Sequence, residues 1–294
     1  MSNARLLAEH YARGELVAAN ALMCMMVEKG EEIPAALSES IRSQFRVVDE
    51  LKPGVKIAQG DTGWSKHGVF TTHSLDVYDN MHACFRRTVE SECIEVSFDT
   101  EYEWSDIRDA LWTHEALHLV FPECVQEVTL IADETETTKV LHVLLKGGLA
   151  SAMQPYGMVV RVCSLHDAAE YGKHARAVLV LQEISTQKEY AGYVDKVKQA
   201  PVAPFSCAVY VEDGINERHV SVCMRQAAAS SRFSFLLQPF VSYMWRAALL
   251  SAVHAWLVVA SKLYHGDKTV ANVQALVKKN RSDGACGAGL HAGR

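Results

Sequence analysis

Residues 231–264 are apolar around nearly the whole circumference of a helix, with Gln238, Ser242, Arg246, His254 and Lys262 confined to one narrow stripe. A helix of this kind has little face to give to water and needs apolar surface on several sides. Its most apolar part, 247–260, is about fourteen residues long, short of the roughly 18 to 20 that span a bilayer, and it contains His254. The remaining cover is protein. A strongly curved sheet gripping the helix supplies it, and such a grip can leave an interior cavity.

The rest of the chain provides the strands for that sheet. β-like runs at 81–90 and 93–100 are separated by Ser91 and Glu92, a hairpin spacing, and precede a helix over 105–120 that Ser105 caps and Pro122 stops. Four more strands are expected at 124–132, 139–146, 157–165 and 175–184, then a connecting loop at 185–204 with room for one short helix. Strands at 205–211 and 217–225 follow. In the last of these Val220, Val222 and Met224 alternate with His219, Ser221, Cys223 and Arg225, the pattern of a half-exposed hairpin. Ahead of all this stand two helices, 3–29 closed by Gly30 and a second from Pro34 to near Pro53, then a Gly-rich loop at 54–80 with room for one short strand. Sequential strands followed by a terminal helix are not the alternation of a doubly wound sheet. The expected class is α+β: a curved antiparallel sheet wrapped around a long C-terminal helix, the helix-grip arrangement. The expected division is 1–53 N-terminal helices, 54–265 the main domain and 266–294 a tail, disordered in its Gly/Ala-rich end 280–294.

Composition narrows the function. With 29 Lys and Arg against 35 Asp and Glu the net charge is -6, which gives no general attraction to nucleic acid. Eight cysteines never form a C-x-x-C pair, so neither a zinc knuckle nor a disulfide framework is indicated, and a reducing, cytoplasmic setting fits. Residues 1–5 lack the layout of a secretory signal. There is no G-x-S-x-G and no Gly-rich phosphate loop, so no cofactor is expected.

One motif competes for an enzymatic reading. His114-Glu115-Ala116-Leu117-His118 is a literal H-E-x-x-H, which on an α-helix sets two imidazoles one turn apart to hold zinc with Glu115 as general base. Phe121 and Cys124 stand where a metzincin would carry its glycine and third histidine, and Glu134 and Glu136 fall in an expected turn. Pro122 also cuts the helix short. A zinc metallopeptidase using His114, His118 and Glu115 is therefore the alternative reading.

Several local strings, in order, resemble the START lipid-transfer domain over about Pro34 to Leu263. Ser105-Asp106-Ile107-Arg108-Asp109-Ala110-Leu111-Trp112 looks like that family's first internal helix, and Phe121-Pro122-Glu123-Cys124-Val125-Gln126-Glu127-Val128 is similar to the turn and strand after it. Gly157-Met158-Val159-Val160-Arg161-Val162-Cys163 resembles the family's D-F-V-x-x-R strand, and Gln238-Pro239-Phe240-Val241 its G-W-x-P lid motif, with Leu237 and Gln238 replacing the glycine and tryptophan. The resemblance implies a non-enzymatic protein that binds, and can transfer, a lipid or other hydrophobic small molecule in an internal tunnel, with transient contact to a membrane surface. It places Arg161 in the tunnel, with His142 where sterol-binding members carry a carboxylate, so a sterol is not implied. Phe240, Tyr243, Met244 and Trp245 would roof the cavity. The same fold with a filled core would instead be a ligand-free interaction module, with the N-terminal helices as partner surface.

Overall fold

The computed structural model describes residues 2–51, 64–70, 81–87, 91–102, 104–122, 125–146, 156–166, 175–194, 205–213, 217–227 and 238–288. Its centre is one antiparallel sheet of nine strands: β1 (Trp64–Phe70), β2 (Met81–Arg87), β3 (Ser91–Thr100), β4 (Val125–Thr135), β5 (Thr138–Leu145), β6 (Tyr156–Leu165), β7 (Ala175–Glu183), β8 (Phe205–Asp213) and β9 (Arg218–Ala227). Their order is β1-β2-β3-β9-β8-β7-β6-β5-β4. The sheet is thus two meanders joined where β9 returns to pair with β3 along ten register positions, Ser91↔Ala227 to Thr100↔Arg218. The eight strands expected from sequence are all present, with β1 as the short strand in the glycine-rich stretch.

Among the described residues six helices of eight residues or more pack with this sheet: α1 (Asn3–Ala12), α2 (Leu16–Glu28), α3 (Ala35–Glu50), α4 (Trp104–Trp112), α5 (Gln238–Tyr264) and α6 (Ala271–Ala288). On one side, here called the helix side, α4 and α5 close over Ile94, Val96 and Phe98 of β3, Leu141 and Val143 of β5, Val160 and Val162 of β6, Val209 and Val211 of β8, and Val220 and Val222 of β9. The helix contributes Leu250, Val253, Trp256 and Leu257, a set at three- and four-residue spacing that puts them on one face. This is the grip expected from the apolar C-terminal helix.

Three expectations are corrected. The helix read over 3–29 is two helices, because Gly14 sits at φ 74°, in the left-handed region, and breaks it. The helix read over 105–120 ends at Trp112; a 3-10 turn, His114–Ala116, and a single α-turn, Leu117–Val120, follow. The tail is helical through residue 288, because Val273 and Val277, one turn apart, bury themselves against the helix-side core.

The largest difference lies on the other side of the sheet. Ser221 and Cys223 of β9, expected at a half-exposed surface, are each 3% exposed, because α1 to α3 cover the outer side. Leu7, Tyr11, Leu16, Ala19, Met23, Met26, Ile41, Val47 and Val48 meet Cys163, Leu165, Val180, Ala208, Tyr210 and Cys223 there in a second core. Polar bonds fix the layer: Tyr210 Oη donates to the Val48 carbonyl at 2.8 Å, Gln182 and Ser43 bond at 2.7 Å, and Arg225 pairs with Glu50. Where α1 turns into α2, His166 N donates to the Gly14 carbonyl at 3.0 Å and Thr137 Oγ1 to the Ala12 carbonyl at 3.1 Å.

A β-carbon on Gly14 would stand 2.4 Å from the Ser164 carbonyl oxygen, whereas one on Gly30, at φ 68°, would meet nothing within 4 Å. Gly14→Ala is therefore expected to destabilise by about 2–4 kcal/mol, from left-handed strain plus a clash with rigid backbone, and Gly30→Ala by about 1 kcal/mol from strain alone. Urea denaturation of both variants checks this; equal losses would show that the α1–α2 turn is not seated on the sheet as described.

Candidate ligand-binding site

Strand alternation decides which side chains can meet a ligand gripped between sheet and helix. On β6, Val160 and Val162 belong to the helix-side core, so Val159, Arg161, Cys163 and Leu165 point outward. Arg161 is consequently under the N-terminal layer and not in the tunnel, which corrects its expected place. It is 5% exposed, and its guanidinium donates from Nε and Nη2 to the two carboxylate oxygens of Glu134 at 3.0 and 2.8 Å. Burial alone would lower its pKa, but the two-point bond to Glu134 reverses that and holds it above its ordinary value. Glu134 reaches it because the register of β4 against β5 shifts between Asp133 and Thr135, leaving Glu134 outside the pairing.

His142 shares this outer phase, two register positions from Arg161: it pairs with Val159, and Arg161 pairs with Val140. Its ring lies 6.1 Å from that of Tyr193. The pair that sterol-binding members of the resembled family carry in the tunnel therefore has no counterpart in His142 and Arg161 here. Phe240, Tyr243, Met244 and Trp245 lie on the first turns of α5, where side chains fall outside the described residues. Of the expected site residues, two are thus brought together on the wrong side of the sheet for a gripped ligand, and four lie on the expected helix.

The helix side is not uniform along the strands. Val160, Val162, Val209, Val211, Val220 and Val222 are buried, whereas Val128, Leu145, Met158, Leu181, Phe205 and Met224 pack against the same core but remain partly exposed. These six come from β4 to β9. All six lie in the half of their strands toward the opposite end from Tyr102 and Tyr264, whose rings meet at 4.9 Å and close the C-terminal end of α5. Among the described residues, α5 approaches the sheet backbone most closely along β3, while on the outer side α3 comes close to β7 and β8. Water therefore reaches apolar side chains on the helix side of the middle and β4-side strands.

A charged group does face this side, and it is one that the motifs did not mark. Lys139 is in phase with Leu141 and Val143 of the helix-side core, and its ammonium lies 4.6 Å from the centre of the Trp112 ring. Burial lowers its pKa, while Asp133 and Glu115 act in the opposite sense. The available signal was its phase on β5, two residues before Leu141.

The H-E-x-x-H motif does not lie on one continuous α-helix. His114 belongs to the 3-10 turn and His118 to the separate α-turn, so the two imidazoles are not set one α-helical turn apart on a continuous helix. His118 is exposed, and Glu115 lies 3.2 Å from His114 Nδ1, against the ligand it should serve as a base. Among the described residues no group of three His, Cys, Asp or Glu could hold a metal ion. Burial pushes the Cys163 and Cys207 thiols up to about 12, so neither is a thiolate nucleophile near neutral pH.

No family model and no curated protein matches the chain. Solved structures do. The chain is similar to human STARD10 at 13% identity over 79% of this chain and 82% of that one, TM-score 0.49. It is similar to human StAR-related lipid transfer protein 5 at 11% identity over 83% and 99%, TM-score 0.48. The Zhui aromatase/cyclase of a Streptomyces species is similar at 10% identity over 58% and 94%, TM-score 0.42. No helix among the described residues is long and apolar enough to cross a membrane.

Two predictions follow from the charged groups. Removing Glu134 leaves a buried cation, whereas removing Arg161 leaves a carboxylate that water can reach, so Glu134→Gln is expected to cost about 2–4 kcal/mol and Arg161→Met about 1 kcal/mol or less. Chemical denaturation compares them, and a larger loss for Arg161→Met would contradict the placement. Separately, burial holds His114 below its ordinary pKa, with Glu115 opposing. The unfolded chain then takes up that proton first. Stability is expected to be intact above pH about 6.5 and to fall as the pH drops below it, and His114→Gln should flatten that part of the profile. Denaturation midpoints between neutral pH and pH about 5 would show it.

Proposed function

We propose that this protein binds a hydrophobic small molecule of the lipid class between the helix side of its sheet and α5, and carries it without chemically changing it. The observation that supports the reading is the set of partly exposed apolar side chains, Val128, Leu145, Met158, Leu181, Phe205 and Met224, continuous with a buried apolar surface on the same side. A protein that leaves such surface wet forgoes on the order of 25 cal/mol for each Å² it could remove from water, and an apolar ligand recovers it. In this reading the first turns of α5, with Phe240, Tyr243, Met244 and Trp245, cover the ligand, and loading requires that cover to move aside, at a membrane surface when the cargo is a lipid. The cytoplasm is the compartment that suits the unpaired cysteines Cys163, Cys207 and Cys223.

Native mass spectrometry of the purified chain, followed by organic extraction and elemental analysis of the same sample, tests this. One extractable apolar molecule per chain, without stoichiometric zinc, is expected. An empty protein that takes up no lipid from vesicles would overturn the proposal, and one zinc per chain would restore the peptidase reading.

A further inference from the structure

Lys139 is the unusual group on the helix side. Its ammonium is partly buried, and among the described residues no carboxylate stands within ion-pair distance of it. The charged groups facing it from the neighbouring elements are engaged elsewhere or turned to water: Arg108 Nη2 lies 2.7 Å from Asp109 on α4, His114 Nδ1 lies 3.2 Å from Glu115 on the 3-10 turn, and Asp133, its register partner on β4, is exposed. The Trp112 ring holds the ammonium from one side but accepts none of its protons as a carboxylate would.

A second polar group stands beside it. Ser164 is 4% exposed, is in phase with Val160 and Val162, and its Oγ has no hydrogen-bond partner among the described residues. Lys139 pairs with Val162, so Ser164 is its diagonal neighbour across the β5–β6 pair on the same side. A buried hydroxyl and a half-desolvated ammonium, both without an acceptor among the described residues, are costly unless something else supplies the oxygen. From Lys139 the register row runs on through Val162, Leu181, Cys207 and Met224 to Ile94 without another charge. Across five strand spacings that row is about 24 Å long. It is a strip with a cation at one end and hydrocarbon along the rest.

We infer that the ligand is a carboxylate amphiphile of long-chain fatty acid type, its head group held by Lys139 and Ser164 and its chain laid along the apolar row. This rests on the hydrophobic-ligand reading above and names the ligand class within it. The carboxylate supplies the acceptors that both groups lack, its single negative charge matches the single ammonium, and Trp112 shields the pair from water.

The test measures binding of palmitate and of cetyl alcohol, the same chain with a neutral head, to the full-length protein by calorimetry. A charge-assisted bond to the head group predicts that the natural protein prefers palmitate by about tenfold or more. Lys139→Met should abolish that preference by weakening palmitate while leaving cetyl alcohol within about twofold, Lys139→Arg should retain it, and Ser164→Ala should weaken palmitate a few-fold. Equal affinity of the natural protein for the two ligands overturns the inference and leaves the hydrophobic-ligand reading standing. So does a preference that survives in Lys139→Met. Binding of neither ligand overturns this inference, and if the natural protein also takes up no lipid from vesicles, the hydrophobic-ligand reading falls with it.

Discussion

The central strands of the sheet are apolar on both sides, and the helical layers answer that constraint. A sheet with one wet face alternates apolar and polar residues, but Val159, Val160, Val162, Cys163 and Leu165 of β6 are all buried, as are Cys207, Ala208, Val209, Tyr210 and Val211 of β8. Two covers are then obligatory. The outer one is the α1–α3 layer, seated through Gly14 and the Val48–Tyr210 bond; the inner one is α4, α5 and α6. With the α1–α3 layer packed on the outer side, the partly exposed apolar residues of the inner side are those that a ligand gripped by α5 would cover.

Much of this was legible in sequence. Every strand from β2 to β9 starts and ends within a few residues of its expected bounds, because apolar runs bounded by Gly, Asp and Pro mark strands well. The terminal helix declared itself by lacking a polar face. What failed was the assignment of sides. In Val159-Val160-Arg161-Val162-Cys163 both phases are apolar, so period-two alternation cannot say which phase faces the helix, and Arg161 drew attention as the charged residue of an apolar strand. On β9 the polar phase His219, Ser221, Cys223, Arg225 looked like a wet surface. It is covered because α3 brings Val47, Val48 and Glu50 to it, an encounter between residues more than 160 positions apart that no local pattern records.

The helix boundaries were lost for a related reason. An α-helical reading of 3–29 passes through Gly14 at a modest propensity cost, and only the tertiary contact with Ser164 shows why the chain turns there. Likewise the spacing His114-x-x-x-His118 invites a helix, but Thr113 ends α4 and the backbone tightens to 3-10 geometry to bring the segment across β4 and α6. The H-E-x-x-H pattern is a property of the letters. The geometry it needs is one that this backbone does not adopt.

Arg161 and Lys139 sit on adjacent strands, one register step apart and so on opposite sides of the sheet, and the difference between them is one of satisfaction. Arg161 has both oxygens of Glu134 and is raised in pKa, the condition of a cation whose role is complete within the folded chain. Lys139 has an aromatic face, no carboxylate within ion-pair distance among the described residues and a lowered pKa, so its burial is not offset by an ion pair there. Groups kept in that condition are candidates for function, because a ligand supplies what the protein omits. By the same reasoning Arg161, which looks like a binding residue in sequence, ties β4 and β6 together through Glu134 under the N-terminal layer, and Lys139, inconspicuous in sequence, is a cation that a ligand on the helix side would meet.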